Sequence, residues 1–300
     1  MSCCADRTCR ALAVAATTAL VAVAAAGCGA GDAGGGSADD GRVTVLATPA
    51  PLLDLVQRVG GGRVDAAAVG GLGGDAHAVE LTPPQVAGLT DADLVVHVGG
   101  LSNSVDAAVA LRDGAPVVDA LAVDDGAVGS EDPHVWLDPL LMADVAADVA
   151  DALATVDPDG ADAYTAAAED VREEMAVLEA EASAALAPCR GATLVVSHEA
   201  FGYLAGRHGL EQVGITGVDP HVEPTPARLR AVTEVVRAAG ARTIFFDEVA
   251  SPDVATALAE DLGVAVAALD PLEVAVEPDY ATAMRANLAA LRDGLVCDAA

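Results

Sequence analysis

The chain has 300 residues, which is enough for two domains of ordinary size. Its formal net charge of −31 at pH 7 argues against nucleic acid as a partner, because such a surface repels phosphates. Aromatic residues make up only 2% of the chain, so the core must be built mainly from Val, Leu and Ala. An acidic surface attracts cations, but charge alone does not separate a cation-binding function from a means of staying soluble.

The first 27 residues have the features of a bacterial lipoprotein signal peptide. Two arginines precede the apolar run 11–26, which is too short to span a bilayer comfortably. Small residues lead to Cys28, and the stretch 29–41 is rich in Gly, Asp and Ser. We therefore expect cleavage before Cys28, a lipid on its sulfur and a flexible tether over 28–42, which would hold the protein at the outer face of the cytoplasmic membrane. The alternative is an ordinary secretory signal followed by an unmodified cysteine.

Two cysteines remain once the signal peptide and the lipidated cysteine are set aside. These are Cys189 and Cys297. An even pair in an exported protein predicts one disulfide. The alternative is that both residues are unpaired buried thiols.

Strand and helix patterns alternate in chain order after the tether. Strands are predicted at 43–47, 63–69, 94–98 and 116–120, and helices at 49–61 and 81–93. Thr82 and Pro83 have the composition of a helix start. Continuous apolar strands that alternate with helices predict a mainly parallel sheet covered on both faces. We assign this N-terminal α/β lobe to residues 43–156.

The later part of the chain repeats this scheme in a C-terminal α/β lobe, which we assign to residues 188–300. Strands are predicted at 192–198, 242–248 and 264–271, and helices at 223–240 and 251–263. Thr225 and Ser251 are the predicted caps of these two helices, each followed by proline.

Residues 157–187 predict one long helix between the two lobes. Its apolar residues recur at spacings of four and three and form a continuous stripe. The stripe consists of Tyr164, Ala168, Val171, Met175, Leu178, Ala182 and Ala185. No Gly or Pro interrupts 161–187, so the helix would extend roughly 40 Å. We expect it to join the lobes and to resist bending between them.

Three histidines and one aspartate lie in loops that follow or flank the predicted strands. They are His77, His134, His198 and Asp270. In open α/β sheets, ligands bind in the crevice beyond the carboxyl ends of the strands. A site between the lobes would therefore collect three imidazoles and one carboxylate, a set that suits Zn²⁺.

These segments resemble the metal-binding lipoproteins of bacterial ABC importers for zinc and manganese, the cluster 9 (A-I) solute-binding proteins. The resemblance extends from about residue 43 to the C-terminus and rests on GGDAHAVELTP, ADLVVHVGGL, EDPHVWLDP, VVSHEAFGYLAGRHGL, EPTPARL and ALDPLE. It implies two α/β lobes joined by one long helix, and a high-affinity binding protein that delivers its metal to a membrane permease. The metal ligands that it implies are His77, His134, His198 and Asp270.

The metal and the class of function each have alternatives. Three nitrogens and one carboxylate favour Zn²⁺ over Mn²⁺, which prefers more oxygen. Mn²⁺ stays open, because the stretch before His134 lacks the extra histidines that zinc members of the family often carry. A zinc-dependent hydrolase is the alternative from another class, but a closed set of four protein ligands leaves no position for an activated water, so we expect no enzyme. A metal-dependent adhesin of the same fold is a third alternative.

We expect the protein to be a monomer. Five further residues have predicted roles outside the proposed ligand set. Glu248 is a candidate to hold a ligating imidazole, because a nearby carboxylate would fix the tautomer of the ring. We expect His97 to be packed or at the surface and His208 to be exposed. His221 lies in VDPHVEPTP, which mimics the ligand motif, and is a candidate for an auxiliary site. Trp136 is expected to pack EDPHVWLDP onto its own lobe.

Overall fold

Two four-stranded sheets with flanking helices make up the computed structural model, which describes residues 41–71, 75–124, 132–247, 252–274, 276 and 278–297. The strands are β1 (Val43–Ala47), β2 (Val64–Ala68), β3 (Leu94–His97), β4 (Val117–Asp119), β5 (Thr193–Val196), β6 (Glu211–Gly214), β7 (Thr243–Phe246) and β8 (Ala265–Ala268). The helices are α1 (Ala50–Gly60), α2 (Pro83–Asp91), α3 (Asn103–Val109), α4 (Pro139–Val156), α5 (Ala161–Leu186), α6 (Gly202–His208), α7 (Pro226–Ala239), α8 (Pro252–Leu262) and α9 (Tyr280–Gly294).

The two sheets have equivalent strand orders. The N-terminal sheet runs β2-β1-β3-β4, the C-terminal sheet runs β6-β5-β7-β8, and all neighbouring strands are parallel. The predicted fold class of two similar α/β halves joined by a long helix is therefore confirmed. Because all strands of a sheet point the same way, each sheet presents the carboxyl ends of its strands at a single edge.

Side-chain caps determine where several helices begin. Asp138 accepts hydrogen bonds from the first turn of α4, and Thr225 accepts one from the first turn of α7, as its sequence pattern predicts. Each such cap contributes about 1 kcal/mol by satisfying backbone N–H groups that have no partner within the helix. Thr82 is the N-cap of α2, as predicted, and the third predicted cap, Ser251, lies outside the described residues.

The long helix α5 belongs to both halves of the molecule. At about 1.5 Å per residue it extends roughly 39 Å. It packs against α1 and α4 from the N-terminal half and against α6 and α9 from the C-terminal half. Its buried residues are Tyr164, Ala168, Val171, Met175, Leu178, Ala182 and Leu186. The predicted stripe is thus buried except at its last position, where Leu186 is buried and Ala185 is only half-buried.

One apolar core cluster continues through both halves. It includes Val45 of β1, Leu178 of α5, Val196 of β5 and Leu291 of α9. The described residues all fall in one compact unit, and the lobe boundaries at 156 and 188 remain a prediction. No helix in the described part of the chain is long and apolar enough to cross a membrane.

Polar and covalent links tie the long helix to its surroundings. Arg58 of α1 forms an ion pair with Glu174, and Arg285 of α9 forms one with Glu181 at 2.6 Å. These pairs are partly exposed, so each contributes little stability. A disulfide connects Cys189, just after α5, to Cys297, just after α9.

We expect Leu178→Ala to lower the free energy of unfolding by about 2–5 kcal/mol, because the substitution leaves a cavity at a fully buried position. The matched control is Val177→Ala at the neighbouring, solvent-exposed position of α5, where the side chain is 54% exposed. This control should change stability by less than about 0.5 kcal/mol. Urea unfolding of the metal-free protein measures both, and similar losses from the two substitutions would contradict the packing of α5.

Candidate metal centre

Three imidazoles and one carboxylate meet beyond the carboxyl ends of the strands. His77 lies between β2 and α2, and His134 lies between β4 and α4. His198 follows β5 by two residues, and Glu273 lies in the loop between β8 and α9. Each residue offers one ligand atom, and these four atoms all lie within 4.8 Å of one another. Each half of the molecule therefore contributes two residues to a single cluster.

The cluster has the dimensions of a tetrahedral metal site. The Nε2 atoms of His77 and His134 are 3.3 Å apart. Oε1 of Glu273 lies 3.2 Å from Nε2 of His134 and 3.3 Å from Nε2 of His198. Oε2 of Glu273 lies 3.6 Å from Nε2 of His77. A tetrahedral zinc ion with bonds of about 2.0 Å separates its ligand atoms by about 3.3 Å, so the observed spacing matches that geometry.

Burial leaves the inward-facing atoms with few partners. The side chains of His134, His198 and Glu273 are fully buried, and that of His77 is 9% exposed. Apart from the contacts within the cluster, both carboxylate oxygens of Glu273 and Nε2 of His198 have no hydrogen-bond partner among the described residues. Buried polar atoms are otherwise nearly always hydrogen-bonded, so these atoms indicate a site that receives a ligand.

Two further carboxylates orient two of the imidazoles. Nδ1 of His134 lies 2.7 Å from Oδ1 of Asp132, and Nδ1 of His198 lies 2.8 Å from Oδ2 of Asp247. A carboxylate at Nδ1 keeps the ring proton there and leaves Nε2 to face a metal. The sequence pointed to Glu248 for this contact. That residue lies outside the described part of the chain, and the preceding Asp247 makes the contact to His198.

The cluster is strongly charged in the metal-free protein. Burial alone would lower the pKa of His198, but contacts with Asp247 and Glu273 raise that pKa to about 9. Burial also opposes protonation of His134, yet Asp132 and Glu273 raise its pKa on balance. Burial alone would raise the pKa of Glu273, but the three imidazoles hold it well below its ordinary value of 4.5. A metal ion that binds here must displace protons from the imidazoles.

Asp270, the predicted fourth ligand, lies outside this cluster. The residue is exposed, and its Oδ1 accepts a hydrogen bond of 2.8 Å from the backbone N–H of Leu272. Leu272 has a φ of 63°, so the chain turns sharply just before Glu273. The ALDPLE motif therefore brings its glutamate, rather than its aspartate, to the imidazoles.

The remaining histidines lie away from the cluster. His97 is buried, which fits the expectation of a packed residue. The prediction that His208 is exposed is wrong: α6 packs on α5, and Nε2 of His208 lies buried 3.6 Å from Glu179. His221 is 51% exposed, and its Nε2 contacts Oδ2 of Asp75 at 2.5 Å. Its role in an auxiliary metal site stays a prediction.

Sequence relatives of this chain are zinc proteins of bacteria. The family model described as zinc-uptake complex component A periplasmic (ZnuA) matches residues 45–294. The zinc-binding protein AdcA of Streptococcus pyogenes serotype M1 is 38% identical over 167 residues, which cover 54% of this chain and 32% of AdcA. The high-affinity zinc uptake system protein ZnuA of Bacillus subtilis is 30% identical over 171 residues, which cover 55% of this chain and 54% of that protein. The matches thus span about a third to a half of these relatives.

Solved structures share the architecture over nearly their whole length. The Zn(II)-bound ZnuA-like domain of Streptococcus pneumoniae AdcA superposes with a TM-score of 0.73 at 29% identity and covers 85% of this chain and 99% of its own. The laminin-binding protein Lmb of Streptococcus agalactiae, described as bifunctional with adhesin and metal transporting activity, has a TM-score of 0.76 at 30% identity. That match covers 84% of this chain and 99% of Lmb.

In the metal-free protein we expect His198 to titrate near pH 9 and His97 below 6.5, because burial lowers the pKa of His97 more than Asp106 and Asp119 raise it. The protonated His198 stabilises the fold below pH 6.5, and this contribution is lost as the pH rises through about 9. Asp247→Asn should lower the pKa of His198 by removing the adjacent charge.

Imidazole NMR of the chelator-treated protein measures these titrations, with His97 as the internal reference. A pKa of His198 at or below 6.5, or one that Asp247→Asn leaves unchanged, would contradict the charge arrangement.

Proposed function

Because this chain belongs to the family of periplasmic zinc-uptake components, we propose that it binds Zn²⁺ outside the cytoplasmic membrane and delivers it to an ABC importer. The observation that carries the proposal is the buried cluster of three imidazole Nε2 atoms and one carboxylate with tetrahedral spacing. The proposed ligands are His77, His134, His198 and Glu273, with Glu273 taking the place that the sequence pattern assigned to Asp270. Zinc is then the cargo of the protein rather than a resident cofactor.

The chemistry of the cluster favours Zn²⁺ over Mn²⁺. Zn²⁺ accepts four ligands and binds imidazole nitrogen well, whereas Mn²⁺ prefers more oxygen ligands in a larger coordination shell. Glu273 is the one carboxylate in the cluster, because Asp132 and Asp247 contact the Nδ1 side of the rings. Added water ligands would have to enter a space lined by side chains that are at most 9% exposed. Mn²⁺ stays the alternative, and direct competition between the two ions tests it.

Binding rather than catalysis fits this ligand set. A catalytic zinc site keeps a coordination position open for water or substrate. Here four protein atoms already account for a tetrahedral shell. The carboxylates nearest the cluster hold imidazoles at Nδ1, so neither is free to act as a general base. We therefore propose that the chain is a transport protein and not a hydrolase.

Attachment to the membrane follows from the N-terminal pattern. We infer that Cys28 carries a lipid and that residues 28–42 tether the binding unit to the outer face of the cytoplasmic membrane. The unit acts as a monomer that passes its ion to a membrane permease. The relative named zinc-binding lipoprotein AdcA of Streptococcus pneumoniae supports the anchor. Mass spectrometry of the membrane-extracted protein tests the lipid directly.

We expect the metal-free protein to retain Zn²⁺ when it is offered equimolar Zn²⁺ and Mn²⁺, because three of its four ligands are nitrogen. His198→Glu should shift this preference towards Mn²⁺ by replacing one nitrogen with oxygen. Elemental mass spectrometry after gel filtration measures both. Retention of Mn²⁺ by the unchanged protein would show that the assignment of zinc is wrong.

We expect Glu273→Gln to weaken Zn²⁺ binding by more than tenfold, because the substitution removes the negative charge from the cluster. The matched control is Asp270→Asn, which keeps the oxygen that accepts from Leu272 and should bind Zn²⁺ within about threefold of the unchanged protein. Competition with a chromophoric chelator measures both affinities. The reverse order of effects would return the fourth ligand to Asp270.

A further inference from the structure

We propose that Trp136 and Asn287 are positioning residues that hold the loop presenting Glu273 to the metal. Neither side chain belongs to the ligand cluster, and neither touches the ion in the proposed site. The inference rests on the proposed function, because it explains how the same site binds zinc. It concerns the segment 270–273, which contains both the ligand predicted from the sequence, Asp270, and the proposed ligand, Glu273.

Trp136 connects the His134 segment to the Glu273 loop. Its indole Nε1 donates a buried hydrogen bond of 2.7 Å to the backbone carbonyl of Pro271, two residues before Glu273. The hydroxyl of Tyr280 in turn donates to the backbone carbonyl of Trp136 at 2.6 Å. The indole is fully buried, so neither bond competes with water. Instead of packing only on its own half, Trp136 thus reaches the C-terminal half on both sides of the Glu273 loop.

Asn287 of α9 forms hydrogen bonds to the start of the same loop. Its Oδ1 accepts from the backbone N–H of Asp270 at 2.9 Å, and its Nδ2 donates to the backbone carbonyl of Asp270 at 2.6 Å. The residue is only 3% exposed. A side-chain amide that satisfies both backbone groups of one residue fixes the position and the direction of the chain there.

The backbone directly after these two attachments is strained. Leu272 is the one non-glycine residue with positive φ in the described part of the chain. Left-handed backbone is unfavourable for a leucine, and it persists only where the surroundings determine the conformation. The attachments at Asp270 and Pro271 lie directly before it, and the Leu272 side chain is fully buried. The strained turn directs Glu273 at the imidazoles, so release of either attachment lets the turn relax and withdraws the carboxylate.

Trp136→Phe tests this inference, because it keeps an aromatic ring in the core and removes the indole N–H. Asn287→Leu is the second variant, which removes both amide contacts at similar size. The matched control is Tyr164→Phe on α5, which removes the 2.6 Å hydrogen bond to Asp157 far from the cluster. All three changes delete side-chain hydrogen bonds of buried residues, but only the first two lie at the Glu273 loop.

The full mature chain is loaded with Zn²⁺, and release into excess chelator is followed by stopped flow. We expect Trp136→Phe and Asn287→Leu to release Zn²⁺ about 10–100-fold faster, the size of effect typical when support of a metal ligand is removed. Tyr164→Phe should release it at the rate of the unchanged protein. Absorption of the Co²⁺-loaded proteins should change in the first two variants and stay constant in the control, because it reports on the ligand shell.

Three outcomes would overturn the inference. The first is release from both loop variants at the unchanged rate, and the second is an unchanged Co²⁺ spectrum in both. The third is that Tyr164→Phe accelerates release as much as the two loop variants do, with a similar loss of thermal stability in all three proteins. Faster release would then reflect general destabilisation. Failure of the proposed function is separable, because it would appear in the unchanged protein itself as an absence of tight Zn²⁺ binding.

Discussion

The buried negative charge of Glu273 is the constraint on which the rest of the site depends. Taking a carboxylate out of water costs several kcal/mol even after the protein relaxes, so positive charge must lie close to it. In the metal-free protein Asp132 and Glu273 raise the pKa of His134, and Asp247 and Glu273 raise that of His198, so proton binding to these imidazoles is favoured beside the carboxylate. A divalent ion would supply positive charge from the same space between the Nε2 atoms. Protons and metal are therefore alternative counter-charges for one carboxylate. In either state Asp132 and Asp247 contact the imidazoles of His134 and His198 at Nδ1.

The scaffold keeps this arrangement in place before any ion arrives. The core continues through both sheets, and α5 packs on helices from both halves, so apolar packing connects the parts of the chain that carry the two pairs of ligands. The four ligand atoms already lie within 4.8 Å of one another. An ion that binds there meets ligands that are already assembled, which lowers the free energy spent on ordering their side chains. This rigidity comes from shared packing, because the ion pairs on α5 are too exposed to provide it.

Sequence patterns predicted those features that local composition determines. The sequence predicted the continuous apolar strands, the helix ends marked by proline and glycine, and the apolar stripe on α5. Histidines are rare in this chain, so three of them in loops near strand ends indicated a site. The edge strand β6 (Glu211–Gly214) was not predicted, because it has two polar residues and no apolar run. The sequence did not identify Glu273 as a candidate ligand, for a different reason. A leucine disfavours the left-handed turn by about 1–2 kcal/mol, so its conformation at Leu272 is imposed by contacts from Trp136 and Asn287, which lie far away in sequence.

The position of Trp136 has an optical consequence. It is the only tryptophan in the chain, so indole emission from the whole protein arises from one buried ring. The centroid of that ring lies 5.2 Å from the centroid of the His134 imidazole, and its N–H is bonded to the segment that carries Glu273. Exchange of a proton for a metal at His134 alters the electric field at the indole. The protein thus contains its own fluorophore beside the proposed metal site, and we expect metal binding and release to change its intrinsic fluorescence without an attached dye.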